Sequence, residues 1–319
     1  ESWGCGGNMR PEYYSDLYRR YATYCRNYDG NRLFKIASGA SDYDYNWTEV
    51  LMKNIGHQMH GVSLHYYTVM GWTGSKGSAT QFTDEDHYWT MGKCLEIEPV
   101  IKKHIAIMDK YDPRKRIGLM VDEWGTWWDE EPGTIRGHLY QQNTMRDAMV
   151  AAMSLNIFHR HTDRLKMANI AQMINVLQSM ILTRDDEMIL TPTYHLFKMY
   201  VPHQDATFVP MYYESESIRD VNRRGVELFS ATASRKDGVV TLSLVNVDLE
   251  KECKVVVALD DETKYEVSGE ILGAKEMNAH NTFEQPENVK IQKFDAFKSS
   301  KGQIEVVLPA KSVVTLTLK

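Results

Sequence analysis

An acidic pair and three tryptophans stand close together where the run Ile117–Trp128 (IGLMVDEWGTWW) passes from apolar residues into Asp122-Glu123 and then Trp124, Trp127 and Trp128. An apolar strand that ends in a carboxylate delivers that group to the carboxyl end of a sheet, the end at which parallel α/β barrels carry out their chemistry. A carboxylate beside flat aromatic faces suits glycoside hydrolysis, in which one acid attacks or activates water and a second protonates the departing oxygen. A bare Asp-Glu at a strand end more commonly caps the next helix or pairs with a base, and the tryptophans weigh against that plain role. Glu123 is the first candidate, and it needs a partner at the end of another strand.

Asp42 and Asp44 follow an apolar run but lie in a polar Ser-Asp-Tyr-Asp-Tyr stretch that reads as a turn. Glu1 stands just before a Gly-rich loop and a helical segment, where a preceding strand would deliver it. His65 and Tyr67 close the run GVSLHYY and, two residues apart on a strand, share one face. The plain alternative for these two is a satisfied core histidine and a packing tyrosine. Asn169 and Gln172 stand at the end of the run 165–171 as amides suited to sugar hydroxyls, or equally to turns that bond their own backbone. Trp72 reads as a lid aromatic or a loop anchor. His57, His60 and His65 lack H-E-x-x-H spacing, so no metal is expected.

The elements that must position these groups alternate. Helical patterns cover 10–28, 48–55, 84–111 (capped by Thr83), 138–161 and 191–201, and strand-like runs cover 33–38, 61–67, 116–123 and 165–171. Four apolar runs interleaved with helices make a βαβ pattern and a parallel sheet. From about Tyr212 the pattern becomes short alternating strands at 226–234, 239–247, 253–259, 265–272, 303–308 and 313–318, which reads as an antiparallel sandwich. The expected fold is α/β plus all-β: the C-terminal half of a (β/α)8 TIM barrel over residues 1–205, then a jelly-roll-like β-sandwich over 206–319.

Composition narrows the partners. The chain has 319 residues, 43% hydrophobic and 25% charged, with a net charge of −6, which argues against nucleic acid or an anionic membrane surface. No apolar run approaches the roughly 18 residues of a membrane span. Four scattered cysteines (Cys5, Cys25, Cys94, Cys253) with no CxxC pair read as reduced thiols, favouring a cytoplasmic over a secreted setting, and the sequon Asn46-Trp47-Thr48 is weak contrary evidence. The chain opens with Glu rather than Met and runs straight into a Gly-rich loop, which reads as the interior of a longer protein.

Five ordered segments resemble the α-L-arabinofuranosidases of glycoside hydrolase family 51: ESWGCGGNMRPEYY (Glu1–Tyr14), GVSLHYY, LMVDEWGTWW (Leu119–Trp128), LKMANIAQMINVLQSMI (Leu165–Ile181) and TPTYHLFKMY (Thr191–Tyr200). They span roughly residues 1–200, and the sandwich suits the family's C-terminal domain. The resemblance implies that Glu1, the Glu of a Gly-Asn-Glu triplet ending the fourth barrel strand, is the acid/base. It implies that Glu123 is the nucleophile, and that His65, Tyr67, Trp127 and Gln172 contact the sugar. It also implies a retaining double displacement that releases terminal α-L-arabinofuranosyl residues from arabinose-containing oligosaccharides or polysaccharides. No cofactor and no metal are implied; the N-terminal half of the same protein is expected as a partner, and a homo-oligomer as the assembly. The Gly-Asn pair and the first four strands are absent from this sequence, so activity is expected to need that half. The alternatives from the residues are another retaining barrel glycosidase (an endoglucanase or β-xylosidase) and a non-catalytic carbohydrate-binding fragment. The lack of any Trp after Trp128 counts against the last.

Overall fold

The computed structural model describes residues 7–259 and 263–319; Glu1 lies outside the described residues. Contacts divide the chain into two interleaved units, one of residues 1–67, 96–124 and 161–170, the other of 68–95, 125–160 and 171–319.

The first unit is a four-stranded sheet in the order β1 (Ile36–Ser41), β2 (Gly61–Thr68), β3 (Gly118–Thr126), β4 (Leu165–Ile170), with β1 parallel to β2 and β3 parallel to β4. Helices α1 (Pro11–Ala22), α2 (Tyr45–Ile55) and α4 (Ile97–Tyr111) accompany it. Four parallel strands with helices are the count of half a (β/α)8 barrel. β2 is buried along almost its whole length, as strands covered on both faces are. Trp47, Leu51, Ile55, Val62, Leu64 and Met108 are fully buried and form the apolar centre of this unit. Two polar anchors hold it. His104 Nδ1 and Nε2 lie 2.9 Å from Thr48 Oγ1 and 2.9 Å from the Asp42 carbonyl, and burial lowers its pKa. Arg164, with no exposed surface, donates to Asp112 Oδ2 at 2.8 Å, to the Ile117 carbonyl at 3.0 Å and to Asp109, tying the end of α4 to the start of β3.

β1 begins three residues later than the apolar run at 33–38 suggests, because Leu33 and Phe34 are exposed. Gly39 lies inside the strand at an irregularity in register between Ala37 and Ala40. A Cβ on Gly39 would stand 1.5 Å from the Ser63 carbonyl oxygen of β2, so only glycine allows the strands to approach so closely.

The second unit holds helices α3 (Asp84–Leu95), α5 (Met145–His159) and α6 (Pro192–Tyr200), the hairpin β5 (Ile181–Arg184) and β6 (Glu187–Leu190), and the sandwich. After β7 (Thr207–Phe208) and the hairpin β8 (Ser217–Arg219) and β9 (Gly225–Glu227) come β10 (Phe229–Lys236), β11 (Val239–Asn246), β12 (Cys253–Ala258), β13 (Val267–Gly273), β14 (Gln292–Phe294), β15 (Phe297–Ser300), β16 (Gln303–Leu308) and β17 (Ser312–Leu318). One sheet runs β14-β13-β17-β11-β10-β7 and the other β12-β16-β15, each antiparallel. Ala231, Leu242, Leu244 and Leu316 meet Ile304, Val306 and Leu308 in the core. The alternate positions of the larger sheet, Thr232, Ser234, Thr241, Ser243 and Thr315, are polar yet buried. α5 and α6 pack on that sheet, which is why α5 is buried from Met145 to Phe158.

Two helices differ from their sequence patterns. The stretch 84–111 is two helices that part at Glu96, since Pro99 has no N–H to offer the Leu95 carbonyl and fits only a first turn. α5 starts at Met145 rather than 138, set by a reciprocal cap in which Thr144 and Asp147 satisfy each other's backbone donors. Thr83 caps α3 as its sequence implies, in the same kind of box with Asp86.

Candidate active site

The carboxyl ends of β2 and β3 bring four predicted or neighbouring groups together. Tyr67 Oη donates to Glu123 Oε1 at 2.5 Å. His65 Nδ1 lies 3.1 Å from Glu123 Oε2, and His65 Nε2 lies 3.3 Å from Asp122 Oδ1. Period-two alternation puts His65 and Tyr67 on one face of β2. It would send the adjacent Asp122 and Glu123 to opposite faces, but both reach His65. The reason lies in the register: Val121 pairs with Ala168 and Trp124 with Ile170, so three steps on β3 span two on β4. This extra residue is a β-bulge at Asp122-Glu123, a device that re-aims side chains beside active sites.

The group is partly enclosed. Side-chain exposure is 18% for His65, 30% for Asp122 and 36% for Glu123, so Glu123 is shielded yet open to a ligand. Both oxygens of Glu123 have a neighbour able to donate, which fixes the plane of the carboxylate. Asp122 is the member that sequence reasoning missed as a contact, because the bulge depends on a register with β4 that no local pattern shows. Asp42 and Asp44 serve the chain turn: the Asp42 N–H donates to the His65 carbonyl at 2.9 Å, and Asp44 Oδ1 caps α2 by accepting from the Trp47 N–H at 3.1 Å.

The three tryptophans separate by burial. Trp124 and Trp128 are 1% and 2% exposed, so neither can offer a face to a sugar. Trp128 Nε1 donates to Asp147 Oδ1 at 2.8 Å, and the Arg146 guanidinium lies 3.8 Å from its ring centre and 3.6 Å from that of Phe82. Trp127 is the accessible one. In the second unit it meets Trp72 edge to face at 5.5 Å, with Lys76 Nζ 5.4 Å from its ring centre. Asp129 anchors this loop by accepting from the Lys76 N–H at 2.9 Å and from Ser75 Oγ. Burial raises the pKa of Asp129, but those hydrogen bonds outweigh it and the carboxyl sits below its usual range. Trp72 is 53% exposed and so serves as an anchor with an open face. Gln172 is exposed, and its N–H donates to the Val176 carbonyl at 3.1 Å. Asn169 is likewise exposed.

No cluster of three metal-ligating side chains occurs among the described residues. His60 Nδ1 accepts from the Lys35 N–H at 2.9 Å, and His57 Nε2 lies 3.1 Å from Gln58 Nε2.

The described residues place a strand-end carboxylate against a tyrosine and a histidine on a parallel sheet, and an antiparallel sandwich follows later in the chain. Residues 122–312 match the family described as the alpha-L-arabinofuranosidase C-terminal domain. The chain belongs to this family. It is 64% identical to the intracellular exo-alpha-L-arabinofuranosidase of Bacteroides ovatus over 100% of this chain and 62% of that protein. The crystal structure of the family 51 arabinofuranosidase from Xanthomonas axonopodis pv. citri superposes with a TM-score of 0.96 at 44% identity, covering 100% of this chain and 65% of that one. The family 51 enzyme of Bifidobacterium longum shares the fold, with a TM-score of 0.83 at 21% identity over 98% of this chain and 64% of that one. The chain thus spans about three fifths of the length of these relatives. No helix among the described residues is long and apolar enough to cross a membrane.

Proposed function

We propose that this chain carries the nucleophile side of a retaining α-L-arabinofuranosidase, which releases terminal α-L-arabinofuranosyl residues from arabinose-containing plant oligosaccharides or polysaccharides. One observation carries the reading: Tyr67 and His65 engage the two oxygens of Glu123 at a strand end, orienting a carboxylate for attack rather than for capping. Glu123 attacks the anomeric carbon while Glu1 protonates the leaving oxygen. Glu1 then takes a proton from the water that frees the sugar from Glu123, and the two inversions restore the α configuration. His65 and Tyr67 hold the nucleophile and the sugar, and Trp127 and Gln172 contact the ring.

Residues 1–205 are the catalytic half-barrel and 206–319 the sandwich, because every candidate site residue falls in the first stretch. The segment that longer relatives carry completes the site as partner, and the working form is a homo-oligomer. A cytoplasmic setting agrees with the name of the Bacteroides ovatus relative.

The test is hydrolysis of an aryl α-L-arabinofuranoside beside aryl β-xyloside and cellooligosaccharide substrates, with the chain alone and mixed with the relatives' N-terminal segment. Arabinofuranoside cleavage whose first product is the α anomer by NMR supports the proposal. A β anomer as first product, or preference for the other substrates, overturns it. Azide should rescue Glu1→Ala to give an α-configured azide and Glu123→Ala to give a β-configured one.

A further inference from the structure

We propose that Asp122 is a positioning residue of this site. It holds His65 as a doubly protonated imidazolium bridging Asp122 and Glu123, and so fixes the orientation and charge environment of the nucleophile. The inference deepens the reading of Glu123 given above and rests on it.

Three observations carry it. The β-bulge at Asp122-Glu123 turns both carboxylates toward one ring, where a regular strand would present only one of them. The two ring nitrogens face different carboxylates, Nδ1 at 3.1 Å from Glu123 Oε2 and Nε2 at 3.3 Å from Asp122 Oδ1. An ionised carboxylate only accepts hydrogen bonds, whereas a neutral imidazole must leave one nitrogen as an acceptor. A neutral ring would therefore aim a lone pair at one of the two oxygens; an imidazolium donates to both. Finally, Asp122 Oδ1 is buried and has no hydrogen bond of good geometry among the described residues. Nε2, 3.3 Å away, is able to supply one, and such contacts tighten when substrate binds.

Among the described residues, the groups that face His65 include Tyr67 from its own strand, Asp122 and Glu123 from β3, and Asp42 beyond β1, whose N–H binds the His65 carbonyl. A consequence follows for the covalent step. As the Glu123–anomeric carbon bond forms and the bond to the leaving oxygen breaks, the proton goes from Glu1 to the leaving group and Glu123 becomes a neutral ester. Asp122 remains as counter-charge, so His65 keeps both protons through the intermediate.

The experiment is an imidazole nitrogen NMR titration of the isotopically labelled chain, with kinetics of Asp122→Asn, His65→Gln and the double variant. Both His65 nitrogens should be protonated at pH 7, and Asp122→Asn should lower the His65 pKa by about one unit. The alkaline limb of kcat/KM should move acidward in Asp122→Asn, with KM little changed, and Asp122→Asn should have no further effect in the His65→Gln background. A neutral ring at pH 7, or effects that simply add in the double variant, overturns the proposal. The titration needs no turnover. An inactive mixture of the chain with the relatives' N-terminal segment, with His65 charged, therefore counts against the nucleophile reading, whereas an active mixture with a neutral His65 counts against the bridge alone.

Discussion

The rim of the parallel sheet and the seam beneath the sandwich use the same residue types to opposite ends. At the rim, His65 faces two carboxylate oxygens and Tyr67 donates to one of them. In the seam, His203 lies between hydroxyls, with Nδ1 2.7 Å from Ser234 Oγ and Nε2 2.9 Å from Ser243 Oγ. His159 Nδ1 lies 3.1 Å from Thr232 Oγ1, and Tyr200 donates to Asn156 Oδ1 at 2.9 Å. Hydroxyls rotate to donate or accept, so they suit a neutral ring, whereas carboxylates can only accept. Burial drives His203 down to about 3 and His159 to about 4, and pushes the Tyr200 phenol well above its ordinary value. The difference teaches that burial among hydroxyls keeps a histidine neutral and structural, whereas the half-open rim surrounds one with groups able to carry charge.

The largest effect should come from cutting the rim at its centre. Glu123→Ala should lower kcat by about 10⁴-fold or more, the scale of removing a catalytic group that acts in concert with others. Thermal unfolding should barely move, because a partly exposed rim side chain contributes little packing. A variant that loses its fold but keeps its turnover would reverse the contrast between the regions.

The seam should answer to pH instead. His159 and His203 of the seam, and the buried His87 of α3, have folded pKa values of about 4, 3 and 4, against roughly 6.5 when unfolded. Above pH 6.5 both states are neutral and these groups leave stability unchanged. Below it the unfolded chain binds protons that the folded chain refuses, so stability falls as pH drops toward 4. Each fully linked histidine costs about 1.4 kcal/mol per pH unit in that window. Calorimetry should show a clearly lower Tm at pH 5 than at pH 7, and His203→Gln should flatten the slope. Asp112 and Asp129, held below the usual carboxylate range, lose their contribution only under about pH 4. A flat Tm from pH 7 to 5 would show that the seam tolerates charge.

How much of each region could be read from the chain follows the same division. Glu123, His65 and Tyr67 were legible because an apolar run ending in acids and an i, i+2 pair are local signals. The bulge that turns Asp122 was not, since it arises from pairing with β4 more than forty residues away. Nor did composition distinguish Trp127 from the buried Trp124 and Trp128, the last of which is held by Asp147 and Arg146 of α5. The seam was the least legible: Ser and Thr at alternate strand positions read as a wet face, yet α5, distant in sequence, covers them. Two signals were present in the sequence and would have sharpened the helices, Pro99 at the α3–α4 break and the Thr144–Asp147 cap of α5.

The smaller effects come from removing one oxygen in each region. Tyr67→Phe deletes the donor to Glu123 Oε1, a hydrogen bond to a charged group worth about 1.5–3 kcal/mol. If that bond strengthens as charge moves on the nucleophile, kcat should fall by roughly 10- to 100-fold with KM little changed. Tyr200→Phe is the matched control. It strips the donor from Asn156 Oδ1, whose amide nitrogen still bonds Ser230 Oγ at 3.0 Å, so one buried acceptor is left short. The cost should be about 1–3 kcal/mol of stability, read by denaturant unfolding, with kcat unchanged. Should Tyr200→Phe lower kcat while Tyr67→Phe only lowers stability, the rim would be the scaffold and the seam the site.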